Sequence, residues 1–230
     1  MQILLSRELD RLKQTILSLC SEVEDIFQKS LLSLKKMDLS LAAKLIERDS
    51  EIDSMEVDLE EDCLKILALY QPVAGDLRFI VSILKINNDL ERIADLAVNI
   101  AERAMAIAKE PPIPVPFDFV HMGNLVDRML RKSLDSLVRL EPDLARRVII
   151  LDEEVDTLHR ETYELVRQAL IRNPEDFSAV ISYLGVSRHL ERIADYATNI
   201  AEDVIYLTDG EIVRHKTDLA KEINNDPPSR

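Results

Sequence analysis

An all-α fold, a tandem duplication of a three-helix bundle with six long antiparallel helices, is what this 230-residue sequence predicts. Three observations lead there. The four glycines and nine prolines are clustered, which leaves long stretches free of helix breakers. Within those stretches apolar residues recur at about 100° per residue, the helical period. The second half of the chain also repeats the first, residue for residue in places.

The prolines divide the chain. Two helices, near 2–36 and 39–69, fill the stretch before Pro72, and a third, near 73–109, reaches the Pro111-Pro112-Ile113-Pro114-Val115-Pro116 segment. That segment is stiff and extended, the composition of a linker. Helices near 118–139 and 142–172 follow, parted at Pro142. The sixth, near 176–208, has Asn173 as its expected N-cap, Pro174 at the first helical position and Glu175-Asp176 facing the helix dipole. Asp209-Gly210 is its stop, glycine being free to take the left-handed cap conformation. The expected organisation is a first bundle over 1–110, a linker over 111–117, a second bundle over 118–210 and a polar tail over 211–230 that frays at its end.

The repeat is explicit. Asp89-Leu90-Glu91-Arg92-Ile93-Ala94-Asp95 returns as His189-Leu190-Glu191-Arg192-Ile193-Ala194-Asp195, and Asn99-Ile100-Ala101-Glu102 as Asn199-Ile200-Ala201-Glu202, at an offset of 100. Earlier in each half the offset is 103, pairing Leu41-Ala42 with Leu144-Ala145, Asp49 with Asp152 and Ile52-Asp53 with Val155-Asp156. A three-residue length change near Gln71 and Asn173 reconciles the two.

Composition bounds the function. A formal charge of −14 disfavours nucleic acid and anionic membrane surfaces, both of which attract Lys and Arg, and favours cations or basic protein surfaces. No apolar run approaches the ~20 residues that span a bilayer, and the N-terminus lacks the pattern of a signal peptide, so a cytoplasmic protein is expected. Cys20 and Cys63 have no CxxC or His spacing and read as buried free thiols. No Gly-rich phosphate loop, HExxH or GxSxG motif is present.

The core stripe of the third helix is Leu90, Ile93, Ala94, Ala97, Ile100, Ala101 and Ala104; that of the second is Leu41, Leu45, Ile52, Met55, Leu59, Cys63, Ile66 and Tyr70. Acids form separate stripes. Glu91, Asp95, Asn99 and Glu102 stack along the third helix, roughly opposite its apolar face, and Asp49, Asp53, Glu56 and Glu60 along the second. The second half repeats them as Glu191, Asp195, Asn199 and Glu202, and as Asp152 and Asp156, with His159 where Glu56 stood. His189 lies far around the helix from Glu191 and reads as a surface or packing residue.

Two readings of these stripes remain open. With 43 acids among 230 residues, i,i+4 carboxylate pairs arise by chance, and a solvated face accounts for any one of them. Alternatively the two stripes of each half face one another and hold metal. Like charges so spaced are unfavourable without a cation, and carboxylate, carboxamide and imidazole groups suit Fe, Zn, Mn or Mg. An exposed surface site fits the stripe's position better than an enclosed one.

At these residues the sequence resembles the PhoU family, regulators of phosphate uptake. The resemblance spans nearly the whole chain: the duplicated unit, the Gln71-Pro72-Val73-Ala74-Gly75-Asp76-Leu77-Arg78 junction, and the two LERIAD segments with their NIAE continuations. It implies two three-helix bundles side by side and multinuclear Fe or Zn clusters at acidic-x-x-x-Asp signatures. Here those signatures fall on Glu91/Asp95 and Glu191/Asp195, with Asp49/Asp53 and Asp152/Asp156 also fitting. It further implies a non-enzymatic negative regulator of the phosphate-starvation response, an adaptor between the phosphate ABC transporter ATPase subunit and a sensor histidine kinase. A homodimer is expected from the long exposed helices. The competing expectation, from the four carboxylate pairs, is a metal-dependent carboxylate-bundle hydrolase or oxidase.

Overall fold

The computed structural model describes residues 2–213; the tail expected over 211–230 lies outside the described residues beyond 213. Six helices carry the chain: α1 (Gln2–Lys36), α2 (Leu39–Tyr70), α3 (Ala74–Ile107), α4 (Phe119–Arg139), α5 (Pro142–Arg172) and α6 (Phe177–Asp209). Their bounds follow the proline map closely. The sixth start differs. Pro174–Asp176 forms a single 3-10 turn, in which the Asp176 N–H donates to the Asn173 carbonyl at 3.2 Å, and the Asn173 side chain caps nothing. A backbone bond thus replaces the expected side-chain cap, and α6 begins one residue later, at Phe177. The expected stop is present: Gly210 has φ +76 and its N–H donates to the Tyr206 carbonyl.

The duplication extends to the backbone. The α1–α2 and α4–α5 turns place Met37 and Leu140, 103 apart, at φ +51 and +53. In both, a backbone N–H closes on a serine carbonyl, Asp38 to Ser33 at 2.9 Å and Glu141 to Ser136 at 3.0 Å. Buried serines also repeat. Ser30 and Ser33 donate to the carbonyls of Phe27 and Ser30, and Ser133 and Ser136 to those of Leu130 and Ser133. Each hydroxyl is satisfied within its own helix, so burying it leaves no orphan donor.

Packing joins the two halves. α3 and α6 each pack against both other helices of their own half and against one another, and α1 meets α4, so one apolar core runs through all six helices. Central position explains why α3 buries more than one stripe: Leu96 and Val98 are buried besides Leu90, Ile93, Ala94, Ala97, Ile100, Ala101 and Ala104. The alanines among them let backbones approach closely. The acidic stripe therefore does not lie on a free outer face opposite the core. It occupies the shoulder of α3 that turns towards α2.

Cys20 and Cys63 are buried in this core, which pushes both thiols up to about 12. A thiolate is the reactive form, so neither is expected to label with a water-soluble thiol reagent in the native protein, whereas both should label on unfolding. Rapid native labelling would contradict the packing.

Candidate metal centres

Antiparallel packing of α2 on α3 brings their acidic stripes together. Asp49, near the start of α2, meets Asp95 and Glu102 of α3, and Glu56, two turns on, meets Asn87 and Arg92. Ligand oxygens of Asp49, Asp53 and Asp95 all lie within 4.8 Å of one another. Glu91 completes the group, its carboxylate facing Asp95 and Asp53. Asn99 follows one turn along the same α3 face, half-buried. Asp53 is exposed, and Asp49, Glu56, Glu91 and Asp95 are half-buried. The site lies at the surface, between α2 and α3.

Charge crowding leaves its mark on protonation. Burial, then neighbouring carboxylates, pushes Asp49, Glu56 and Glu91 up from their ordinary values. Arg92 relieves the cluster in part, 3.3 Å from Glu91 and 3.4 Å from Asp95.

The second half places the corresponding residues near one another across α5 and α6, but among the described residues only Asp49, Asp53 and Asp95 bring three ligand atoms within 4.8 Å of one another. Asp152 faces Asp195, Asp156 and Glu191, and Asp156 also faces Glu191 and Asp195; Asn199 continues the α6 face. Burial, reinforced by these neighbours, raises Asp152 to about 7 and the more exposed Asp195 to about 6, and pushes Glu191 up as well. His159 occupies the Glu56 position. Its Nδ1 is 2.8 Å from Ser187 Oγ, whose hydroxyl in turn donates to Met122 Sδ at 3.6 Å. Where Ser187 gives its proton to Met122, its oxygen is left to accept from Nδ1–H, the tautomer that places the His159 lone pair on Nε2. Burial, with a smaller contribution from Arg188, lowers the His159 pKa from its ordinary value against the pull of Asp156 and Asp195.

Do these residues fit a cation? Asp49 Oδ1 and Asp152 Oδ1 are buried without a hydrogen-bond partner, and Glu91 Oε2, also buried, makes no hydrogen bond but lies 3.3 Å from Arg92 Nε. Orphaned buried carboxylate oxygens are costly, and a cation satisfies them directly. The donor set fits. Asp49, Asp53, Glu91 and Asp95 would hold the ion in the first half, with Glu56 and Asn99 alongside. In the second half Asp152, Asp156, Glu191 and Asp195 would do so with His159 and Asn199. An all-oxygen set suits hard cations, and an added imidazole favours transition metals such as Zn or Fe, so the two centres are chemically unequal.

The acidic stripes alone do not reveal one further pair of residues. Asn87 Nδ2 donates to the Glu56 carbonyl at 2.9 Å and to Glu56 Oε1 at 3.2 Å, and Ser187, its counterpart 100 residues on, steers His159. Both stand one turn before Glu91 and Glu191, so extending the i,i+4 ladder backwards by one step finds them. His189, expected at the surface or in packing, is half-buried away from the carboxylates.

A family model described as the PhoU domain matches residues 16–104 and 119–204, on either side of the proline-rich segment. The chain belongs to the PhoU family. Among similar curated proteins, the phosphate-specific transport system accessory protein PhoU homolog of Aquifex aeolicus is 39% identical, with 92% of this chain and 96% of that protein covered. The homolog from Pseudomonas aeruginosa is 37% identical over 95% of this chain and 91% of its own. The crystal structure of PhoU from Pseudomonas aeruginosa superposes with a TM-score of 0.86 at 36% identity, covering 90% of this chain and 99% of that one. The phosphate transport system regulatory protein PhoU from Streptococcus pneumoniae gives 0.81 at 31% identity, covering 91% and 99%. This PhoU-family chain thus shares its fold with solved relatives over about nine-tenths of its length. Among the described residues, no helix is long and apolar enough to cross a membrane.

Proposed function

We propose that this chain is a cytoplasmic negative regulator of phosphate uptake, acting by contact rather than by turnover. When phosphate is plentiful it links the phosphate ABC transporter's ATPase subunit to a sensor histidine kinase and holds the phosphate-starvation response off. The observation that carries this reading is similarity over nearly the full length to proteins named as accessory or regulatory components of phosphate transport. Such regulation needs a body that binds one conformational state of a partner more tightly than another, and a rigid bundle with long exposed helices supplies it.

The acidic centres are proposed to hold Fe or Zn, with Mn or Mg as weaker alternatives. A bound cation would neutralise the shoulders of α2/α3 and α5/α6 and fix their spacing.

Deleting the gene is expected to switch phosphate-starvation genes on in phosphate-rich medium, and supplying the chain in trans should restore repression. Unchanged repression in the deletion strain would overturn the regulatory reading.

A further inference from the structure

The duplication provides an internal comparison at the α3–α6 contact. The offset of 100 equates Lys85 with Gly185, Asn88 with Arg188, Asp89 with His189 and Asp203 with Arg103. On one side Lys85 Nζ lies 3.1 Å from the buried carboxylate of Asp203 and 5.1 Å over the Tyr206 ring. A lysine and an aspartate there offset each other across the interface.

On the other side neither half of that pair exists. Arginine stands where the aspartate was, and glycine where the lysine was. A Cβ at Gly185 would lie 3.1 Å from Arg103 Nε, so the missing side chain is what lets the Arg103 guanidinium approach the α6 backbone. Arg188, His189 and Arg192 follow on the same face of α6, and together with Arg103 they line a cavity of about 310 Å³, a size typical of small-ligand pockets. Tyr163 of α5 and Ile181 form its apolar wall and are substantially exposed.

The carboxylates of Glu191 and Asp195 meet this group only at longer range, Glu191 through Arg188 and Arg192 and Asp195 through Arg192. Among the described residues, Arg103, Arg188 and Arg192 make no ion pair; Arg192 donates to the Tyr196 hydroxyl at 3.2 Å, and Glu191 feels Arg188 and Arg192 without pairing with either. Both ring nitrogens of His189 are buried and lack a hydrogen-bond partner. Three guanidiniums and an unsatisfied imidazole around one cavity, in a chain of charge −14, are not accounted for by solubility. Guanidinium forks match the oxygens of a phosphoryl group, and a multiply charged anion uses several of them at once.

We propose that this pocket binds the phosphoryl group of a small anion, with Arg103, Arg188 and Arg192 contacting its oxygens, His189 supplying a hydrogen bond and Gly185 keeping the floor open. The group arrives either as free phosphate or on a nucleotide, whose organic part would rest on Tyr163 and Ile181. Anion binding here is independent of the regulatory reading, because a chain that fails to repress in cells can still bind in a titration.

The test is calorimetric titration of the chelator-treated full chain, free of metal-bound phosphate, with inorganic phosphate and separately with ATP. At least one probe is expected to bind. Binding by phosphate identifies the free ion as sufficient, and binding by ATP alone assigns the pocket to nucleotides. The double substitution Arg103→Asp with Gly185→Lys rebuilds the Lys85–Asp203 arrangement that this same chain already folds with. It should weaken binding at least tenfold, as should Arg188→Gln in the intact background. Binding by neither probe, or undiminished affinity in the variants, overturns the proposal.

Discussion

Chelator-treated Asp152→Asn protein is expected to be more stable than the parent chain at pH 8 by about 2 kcal/mol, with the difference vanishing near pH 4. Burial among Asp195, Asp156 and Glu191 raises Asp152 from an ordinary 3.8 to about 7. Between those values the native state keeps a proton that the unfolded chain has released. Stability from this group is therefore greatest below about pH 4 and falls as pH rises towards 7. A tenfold change in proton affinity is worth about 1.4 kcal/mol, so a rise of this size sets an upper limit of about 4 kcal/mol, reduced by residual solvation. The amide at Asn carries no charge and removes the penalty. Urea denaturation of both proteins from pH 4 to 8 gives the difference directly, which separates it from Asp25, lowered by Lys29 and Arg48 and common to both chains. A constant difference across the range would mean that Asp152 is ionised and well solvated.

Untagged protein purified without chelator is expected to carry stoichiometric metal, with Asp95→Ala depleting the first centre and Asp195→Ala the second. Adding Zn or Fe to the stripped protein should raise its melting temperature by roughly 10 °C. Metal at a thousand times its dissociation constant contributes about 4 kcal/mol, and a chain of this size gains roughly 2–4 °C per kcal/mol. The gain should shrink in each single variant and disappear in the double variant. Asn87→Ala and Ser187→Ala should weaken binding about tenfold at the first and second centres respectively, because each orients a ligand candidate of its own half. Elemental analysis with thermal scans checks all of this. Wild-type protein that takes up no metal and shows no change in melting temperature would leave the carboxylate shoulders as docking or solvated faces.

The two experiments bear on the same crowding from opposite sides. A proton relieves it on Asp152 at low pH, and a cation would relieve it in both halves at neutral pH. Loading metal should accordingly flatten the pH dependence that the stripped protein shows.

Much of this molecule is legible along the chain. Helix bounds follow from where proline and glycine fall, because those residues act locally on the backbone. The duplication follows from identity at fixed offsets, and the stripes follow from a period set by the helix itself. Expectation and structure part where a neighbour intervenes. Asn173 looks like a cap, yet the 3-10 turn at Pro174–Asp176 closes through its carbonyl instead. The α3 acids look solvated on a single helical wheel, yet α2 leans over them.

By itself, then, the sequence determined six helices in two related halves, the face on which each carboxylate lies and the family to which the chain belongs, all properties of near neighbours along the chain or of identity with other chains. Tertiary structure alone decided that Asp49 and Asp53 meet Asp95 across α2 and α3. It likewise decided that both halves share one core, and that Arg103 comes to rest over Gly185 while its twin Asp203 meets Lys85. Periodicity tells which way a side chain points around its own helix; which residue it finds there depends on the register and contact of a second helix, and that is set by packing over the whole molecule.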